Sequence, residues 1–163
     1  MNVYKTIVEF PNFEASDLGH IRNKTTGRLR KGTPDKDGYL RLSINKKNRC
    51  IHILVARTFL ENPEDKKCID HINGNVNDNR LVNLRYATFV ENAQNKAIAK
   101  NNTSGCKGVH YCIANKNWRS RISIDGIRIS LGSFSTLEEA KEARVTRAKQ
   151  AFGVFINDCE KKN

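Results

Sequence analysis

Four residues in one short stretch carry side chains suited to hydrolysing a charged ester. Asp70, His71, Asn83 and Asn92 all fall within CIDHINGNVNDNRLVNLRYATFVENAQN. Carboxylate and amide oxygens are hard donors that suit a divalent cation such as Mg²⁺. A neutral imidazole can take a proton from water near pH 7. The set can therefore hold one cation and activate one water beside it. His71 follows Asp70 directly, so in extended chain the two side chains point to opposite faces. Something must hold a bend there, and the Asn83 amide is the candidate. Asn75, Asn77, Asp78 and Asn79 read as loop formers rather than ligands.

The surrounding charge suggests what the ester is. The chain has 163 residues and a formal net charge of +12. Lys and Arg exceed Asp and Glu by six over residues 1–50, by one over 51–100 and by five over 101–163. Two basic flanks around a near-neutral centre fit phosphate binding on either side of a site with acidic and amide ligands of its own. Phosphodiester cleavage in nucleic acid is the chemistry this implies.

Length allows one ordinary domain or two to three very small ones. Hydrophobic residues make up 38% and aromatics 7%, so no single large core is expected. The five cysteines (50, 68, 106, 112 and 159) include no Cys-x-x-Cys, which argues against a closed zinc cage or a disulfide framework. Reduced thiols in an intracellular protein follow from this; the expected setting is the cytoplasm or nucleoid of a bacterial or phage-infected cell. MNVYKTIVEF lacks the apolar run of a signal peptide, and no stretch is long and apolar enough for a bilayer.

Several elements must position the four residues. Residues 1–50 read as short strands with Gly and Asp-Gly turns. Leu40, Leu42 and Ile44 share one strand face, and residues 45–48 turn into a partner strand at 49–53. A helix is predicted from about Ile53 to Leu60, stopped by Asn62-Pro63. Strands over Cys68–Ile72 and Asn83–Ala87 flank a polar loop at 73–80. Thr88 caps a helix through VENAQNKAIA, with Glu91 at the capping-box position. KNNTSG (100–105) is the best linker, which gives modules at 1–50, 51–100 and 101–163.

The last module reads as three strands and a helix. The strands are predicted at about 107–112, 118–124 and 127–131, with Asp125-Gly126 as a tight hairpin turn. Ser135 or Thr136 caps a helix to about Phe152. Alternation puts Trp118, Ser120, Ile122 and Ile124 on the inner face with Ile127, Ile129 and Leu131. Arg119, Arg121, Ser123, Arg128 and Ser130 take the outer face. Trp118 reads as core. Such a ribbon fits a DNA major groove, where Arg can bond guanine in two places.

The stretch from IHILVARTFL through DHINGN, DNR, NL and EN resembles the HNH (ββα-metal) nuclease family. Asp70 and His71 match its Asp/Asn-His dipeptide. Asn83 lies twelve residues past His71 and Asn92 twenty-one, a spacing similar to the homing-nuclease branch. The resemblance implies Asp70 and Asn92 as metal ligands, His71 as general base and Asn83 as loop brace. Arg85 lies near the site, either on the scissile phosphate or in solvent. His52 is open between packing and a phosphate contact.

The flanks carry two further resemblances. Through NTSGCKGV, NWRSRISIDGIRISLGSF and TLEEAKEARVTRAKQAFG, residues 102–153 resemble the apetala/ethylene-response-factor DNA-binding domain. That resemblance implies DNA contacts at Lys107, His110, Arg121, Ser123, Arg128 and Ser130, and the strand alternation adds Arg119. Lys107 stands where that family usually has Arg, and Cys106 where it has an aromatic. FPNFEASDLGHIRN…GYLRLSI resembles a nuclease-associated modular domain, with Arg22, Lys24, Arg28, Arg30, Lys31 and Arg41 placed to follow a phosphate backbone.

These readings combine into an α+β protein. A ββα-metal HNH core is flanked by an N-terminal β-rich module and by a C-terminal three-stranded antiparallel sheet packed on one helix. The expected function is a monomeric homing-type endonuclease that nicks double-stranded DNA using one divalent ion, Mg²⁺ or Mn²⁺. The rival from another class is a DNA-binding transcriptional regulator whose nuclease fold has lost turnover.

Overall fold

Apolar residues in the first half recur at strand spacing and then at helix spacing, and the two patterns share one interior. The computed structural model describes residues 2–157 and 160, so Cys159 lies outside the described residues. The chain divides into two compact units, residues 1–89 and 90–163. Small sheets and few helices make it an α+β protein.

In the first unit, β1 (Tyr4–Ile7), β2 (Phe10–Ser16), β3 (Ile21–Asn23) and β4 (Leu29–Arg30) form an antiparallel sheet in that order. A second sheet joins β5 (Thr33–Pro34), β6 (Leu40–Ile44) and β7 (Lys47–Cys50). Leu42 and Ile44 point inward, while Arg41 and Ser43 are exposed. The turn after β6 is two residues long, not four, because Asn45 and Lys46 both take positive φ, 49° and 63°. That is the geometry of a tight primed hairpin, whose twist matches its strands.

The shorter turn moves everything after it. Strand β7 ends at Cys50, and helix α1 (Ile51–Phe59) begins two residues earlier than the spacing predicts. Ile51, Leu54, Val55 and Ala56 are buried along α1 and join Ile7, Phe10 and Ile21 in one apolar cluster. Residues from both sides of the expected division at 50 therefore share an interior. Burial of each large aliphatic there contributes roughly 1.5–3 kcal/mol. Helix α1 stops at Leu60, which is extended, and Asn62 then closes the Pro63 turn through hydrogen bonds with Lys66.

Strands β8 (Cys68–His71) and β9 (Leu84–Ala87) pair antiparallel, with Asp70 opposite Arg85 and His71 opposite Leu84. A single 3₁₀ turn, Leu81–Asn83, leads into β9. Helix α2 (Phe89–Gln94) is shorter than predicted. Just past its end Asn95 is buried, and its carbonyl accepts from the Asn157 side-chain amide.

In the second unit, β10 (Val109–Cys112), β11 (Asn117–Ile124) and β12 (Ile127–Phe134) form an antiparallel sheet packed on α3 (Leu137–Phe152). Asp125 and Gly126 form the hairpin turn, both with positive φ. Thr136 caps α3 in a complete capping box with Glu139. Strand β12 runs three residues further than predicted, and Ile127 at its start is exposed rather than inward-facing because it flanks the hairpin tip. Two small apolar clusters fill this unit, one around Ile122, Ala148 and Phe152, the other around Cys106, Val109 and Ala140. Trp118 is half-buried and packs against the latter. Cys50, Cys68, Cys106 and Cys112 are free thiols. Among the described residues no helix is long and apolar enough to cross a membrane.

Candidate active site

Strand β8 delivers two buried polar side chains in succession. Asp70 and His71 are each only 4% exposed. Alternation along the strand sends them to opposite sides, and each meets its own partners.

His71 faces α1 and the β6 hairpin. Its ring centroid lies 4.9 Å from that of His52 and 5.9 Å from that of Tyr39. Its Nε2 lies 3.3 Å from Asn79 Oδ1. The Asn79 amide nitrogen donates to the Asn77 carbonyl, which fixes Oδ1 toward the imidazole. An amide oxygen only accepts, so Nε2 carries the hydrogen and Nδ1 carries the ring's lone pair. Burial pushes the His71 pKa below the ordinary histidine value, with the Asn79 hydrogen bond and the Asp70 charge pulling the other way. The imidazole is thereby neutral at pH 7, the form a general base needs. Burial, with His71 beside it, also lowers the His52 pKa, to about 4.

Asp70 faces β9. Arg85 Nε and Nη2 both reach Asp70 Oδ2, at 2.8 and 2.6 Å. Carboxylate oxygens are hard donors that suit a divalent ion. Asp70 thus fits the first ligand of such an ion. Among the described residues no three His, Cys, Asp or Glu side chains gather as a metal cluster. A carboxylate-plus-amide site of the kind read from the sequence has no such cluster to show.

Asn83 binds the intervening loop at both ends. Its Oδ1 accepts from the Asn73 amide at 2.9 Å, its Nδ2 donates to the Asp78 carbonyl at 2.8 Å, and its carbonyl accepts from Ile72 N at 2.8 Å. Asp78 is further held by Arg80, whose hydrogen bonds lower the Asp78 pKa to about 2. Asn79, which reads from sequence as a loop former, is buried and touches His71. The turn between β2 and β3 backs it: a Cβ on Gly19 would stand 2.8 Å from the Asn79 backbone, and Leu81 N donates to Asp17 O. Spacing could not reveal Asn79, His52 or Tyr39 as neighbours of His71, because they meet it only through tertiary packing. Asn92 lies on α2, in the second unit, and is half-buried.

Residues 49–94 match the family model described as HNH endonuclease, and residues 3–45 match the NUMOD4 motif. The chain carries an HNH endonuclease domain. An uncharacterised HNH endonuclease of Acanthamoeba polyphaga mimivirus is 37% identical over 110 residues, covering 65% of this chain and 32% of the relative. The DNA endonuclease I-HmuI of Bacillus phage SP01 is 33% identical over 89 residues, covering 52% of this chain and 51% of that one. This chain thus spans about a third of the first relative's length and about half of the second's. A solved structure described as DNA binding and cleavage by the HNH homing endonuclease I-HmuI superposes with a TM-score of 0.51 at 25% identity. That match covers 93% of this chain and 92% of the other.

The sheet of the second unit, which follows the HNH domain, displays a basic outer face. Arg119, Arg121 and Ser123 on β11 and Arg128 and Ser130 on β12 are exposed. Register pairs Arg121 with Ser130 and Ser123 with Arg128, so the two guanidiniums sit diagonally. Arg119 Nη2 donates to Asn115. Two other expected contacts are turned inward. Lys107 Nζ donates to the Gln94 carbonyl at 2.8 Å and lies 3.9 Å from the buried Glu160 carboxylate. His110 is half-buried, and its Nδ1 is enclosed with no hydrogen-bond partner among the described residues. In the first unit, Arg41 is exposed and pairs with Asp35 at 3.7 Å.

Proposed function

We propose that this chain is a homing-type DNA endonuclease that hydrolyses one phosphodiester of duplex DNA with a single divalent ion, Mg²⁺ or Mn²⁺. It acts as a monomer and therefore nicks, inside a bacterial or phage-infected cell. The observation that carries the reading is the buried Asp70-His71 step, with the His71 ring kept neutral by burial and oriented by Asn79. The likeness to I-HmuI supports DNA as the substrate.

In this reading His71 Nδ1 takes the proton of a water that attacks phosphorus. Asn79 keeps the ring in the basic tautomer, and Asn83 keeps the loop that carries Asn79 in place. Asp70 would give a carboxylate oxygen to the metal ion and Asn92 a second, amide oxygen. When bound, the ion neutralises charge on the phosphate and on the leaving 3′ oxygen. Three modules divide the work: residues 51–100 cut, while 1–50 and the apetala-like 101–163 hold duplex DNA. Contacts fall to Arg41 and Arg85 in the first unit. In the second they fall to Arg119, Arg121, Ser123, Arg128 and Ser130 on the exposed face, while Lys107 and His110, expected beside them, are turned inward.

The test is nicking of supercoiled plasmid carrying candidate target DNA. Nicking should need Mg²⁺ or Mn²⁺, stop with EDTA, and fall by about 10²–10⁴-fold in His71→Ala. DNA shifting without nicking, across metals and targets, would instead identify a regulator that has lost turnover.

A further inference from the structure

A metal site gains nothing obvious from an arginine on its ligand, yet Arg85 occupies Asp70. The pair is set by β-register, since the two residues lie directly opposite on β8 and β9. Both guanidinium nitrogens converge on one oxygen, Oδ2, at 2.6 and 2.8 Å. The Asp70 side chain is 5% exposed and that of Arg85 16%. Burying a carboxylate and a guanidinium this deeply is costly unless they are paired, and here they are. A divalent ion and a guanidinium cannot share Oδ2 comfortably, because both are positive and both need its lone pairs. Arg, however, fits phosphate oxygens as well as carboxylate oxygens, with the same planar fork.

We propose that Arg85 is a displaceable cation that holds Asp70 in the DNA-free protein and moves to a DNA phosphate, opening Oδ2 to the metal ion. DNA and metal are then coupled through one side chain. The inference rests on the reading of Asp70 as a metal ligand. It makes the nuclease dependent on substrate for full metal loading, which limits solvent-exposed metal chemistry in the absence of DNA. Coupling of this kind is reciprocal, so metal also tightens DNA binding by the same factor.

The experiment is a Mn²⁺ titration of the full chain, with free Mn²⁺ read by electron paramagnetic resonance. The DNA-free arm uses the parent chain, and the duplex arm uses a His71→Ala background so that the DNA stays intact. Removing a competitor should tighten Mn²⁺ binding, so Arg85→Ala should bind it about fivefold or more tightly without DNA. The gain on adding duplex should shrink by the same factor. Arg85→Lys, which keeps charge but loses the fork, should fall between. If Arg85 served only to brace Asp70, its loss would weaken Mn²⁺ binding. Equal or weaker binding in Arg85→Ala overturns the gate. If circular dichroism shows that variant unfolded, equal or weaker binding in Arg85→Lys overturns it. Asp70→Asn separates the two levels. If it binds Mn²⁺ as the parent does, the ligand assignment itself fails and the gate with it. If it loses Mn²⁺ while the Arg85 variants match the parent, the gate alone fails.

Discussion

Two imidazoles meet beneath β8, and burial makes both poor proton acceptors, to different extents. His71 retains an Asn79 hydrogen bond and the Asp70 charge, which partly restore its basicity. Cleavage that needs neutral His71 should therefore rise with pH through a midpoint below the ordinary histidine value and level off before neutrality. In Asn79→Ala the ring loses the bond that orients it and raises its pKa. Nicking should fall about tenfold, the worth of one hydrogen bond of about 1 kcal/mol or slightly more, and the acid limb should move lower. A pH–rate profile identical to the parent's would remove Asn79 from the machinery. His52 makes a stability prediction. Its folded pKa, about 4, lies below its unfolded value, because burial and the neighbouring His71 outweigh the Asp35 charge. The unfolded chain therefore binds the extra proton first. The stability is complete above about pH 6.5 and drains as pH falls toward 4, by up to about 3 kcal/mol. Calorimetric Tm values at pH 7 and pH 5 should differ in the parent and differ less in His52→Gln. Asp70 and His71 are visible in the sequence because their types and spacing are local. The Asn79, His52 and Tyr39 contacts are not, since three separate segments must fold before they touch one ring.

At the scale of elements, the turn between β2 and β3 does more than reverse the chain. Gly19 has φ of +84° and its Cα approaches the Asn79 backbone so closely that a Cβ would stand 2.8 Å away. Gly19→Ala meets both costs, a strained φ and a backbone clash. Stability should drop by about 1–3 kcal/mol in a denaturant melt, and nicking by the surviving folded protein should fall as Asn79 shifts under His71. A folded variant with full activity would show that the turn does not support the loop. Punctuated elements are the most legible ones. The Thr136–Glu139 capping box, the Asp125-Gly126 hairpin and the alternation along β11 are all written in adjacent residues. Helix α2 is shorter than its sequence suggests: VENAQNKAIA has helical composition, while the Asn157 bond onto the carbonyl just past its end comes from 62 residues away and leaves no local sign. The start of α1 is displaced because nothing local says that Asn45-Lys46 alone makes the turn. Composition also favours small separate cores, whereas the N-terminal strands and α1 fill one another's apolar faces.

For the whole molecule, a net charge of +12 on 163 residues is the property most sensitive to solution conditions. Exposed guanidiniums on β11 and β12 face solvent rather than acidic neighbours, which distinguishes them from Lys107, already engaged within its own unit. If this face grips duplex DNA, each phosphate it neutralises releases counterions, and affinity falls with salt at about 0.9 per phosphate on a double-logarithmic plot. Replacing Arg119, Arg121 and Arg128 with Ala should therefore flatten that slope by up to about 0.9 for each phosphate no longer neutralised. An arginine bound to a guanine edge behaves differently: its loss costs about 1–3 kcal/mol on the preferred sequence and narrows the gap to unrelated DNA. Measuring affinity for target and random duplexes over a salt series separates the two roles arginine by arginine. The diagonal arrangement of Arg121 and Arg128, each opposite a short serine, leaves room for both guanidiniums to reach past the sheet surface. We expect these two to relax sequence preference and Arg119, tethered to Asn115, to act mainly on the salt slope. A triple variant whose slope, affinity and preference all equal the parent's would remove DNA recognition from this sheet and leave the basic flank as a solubilising surface.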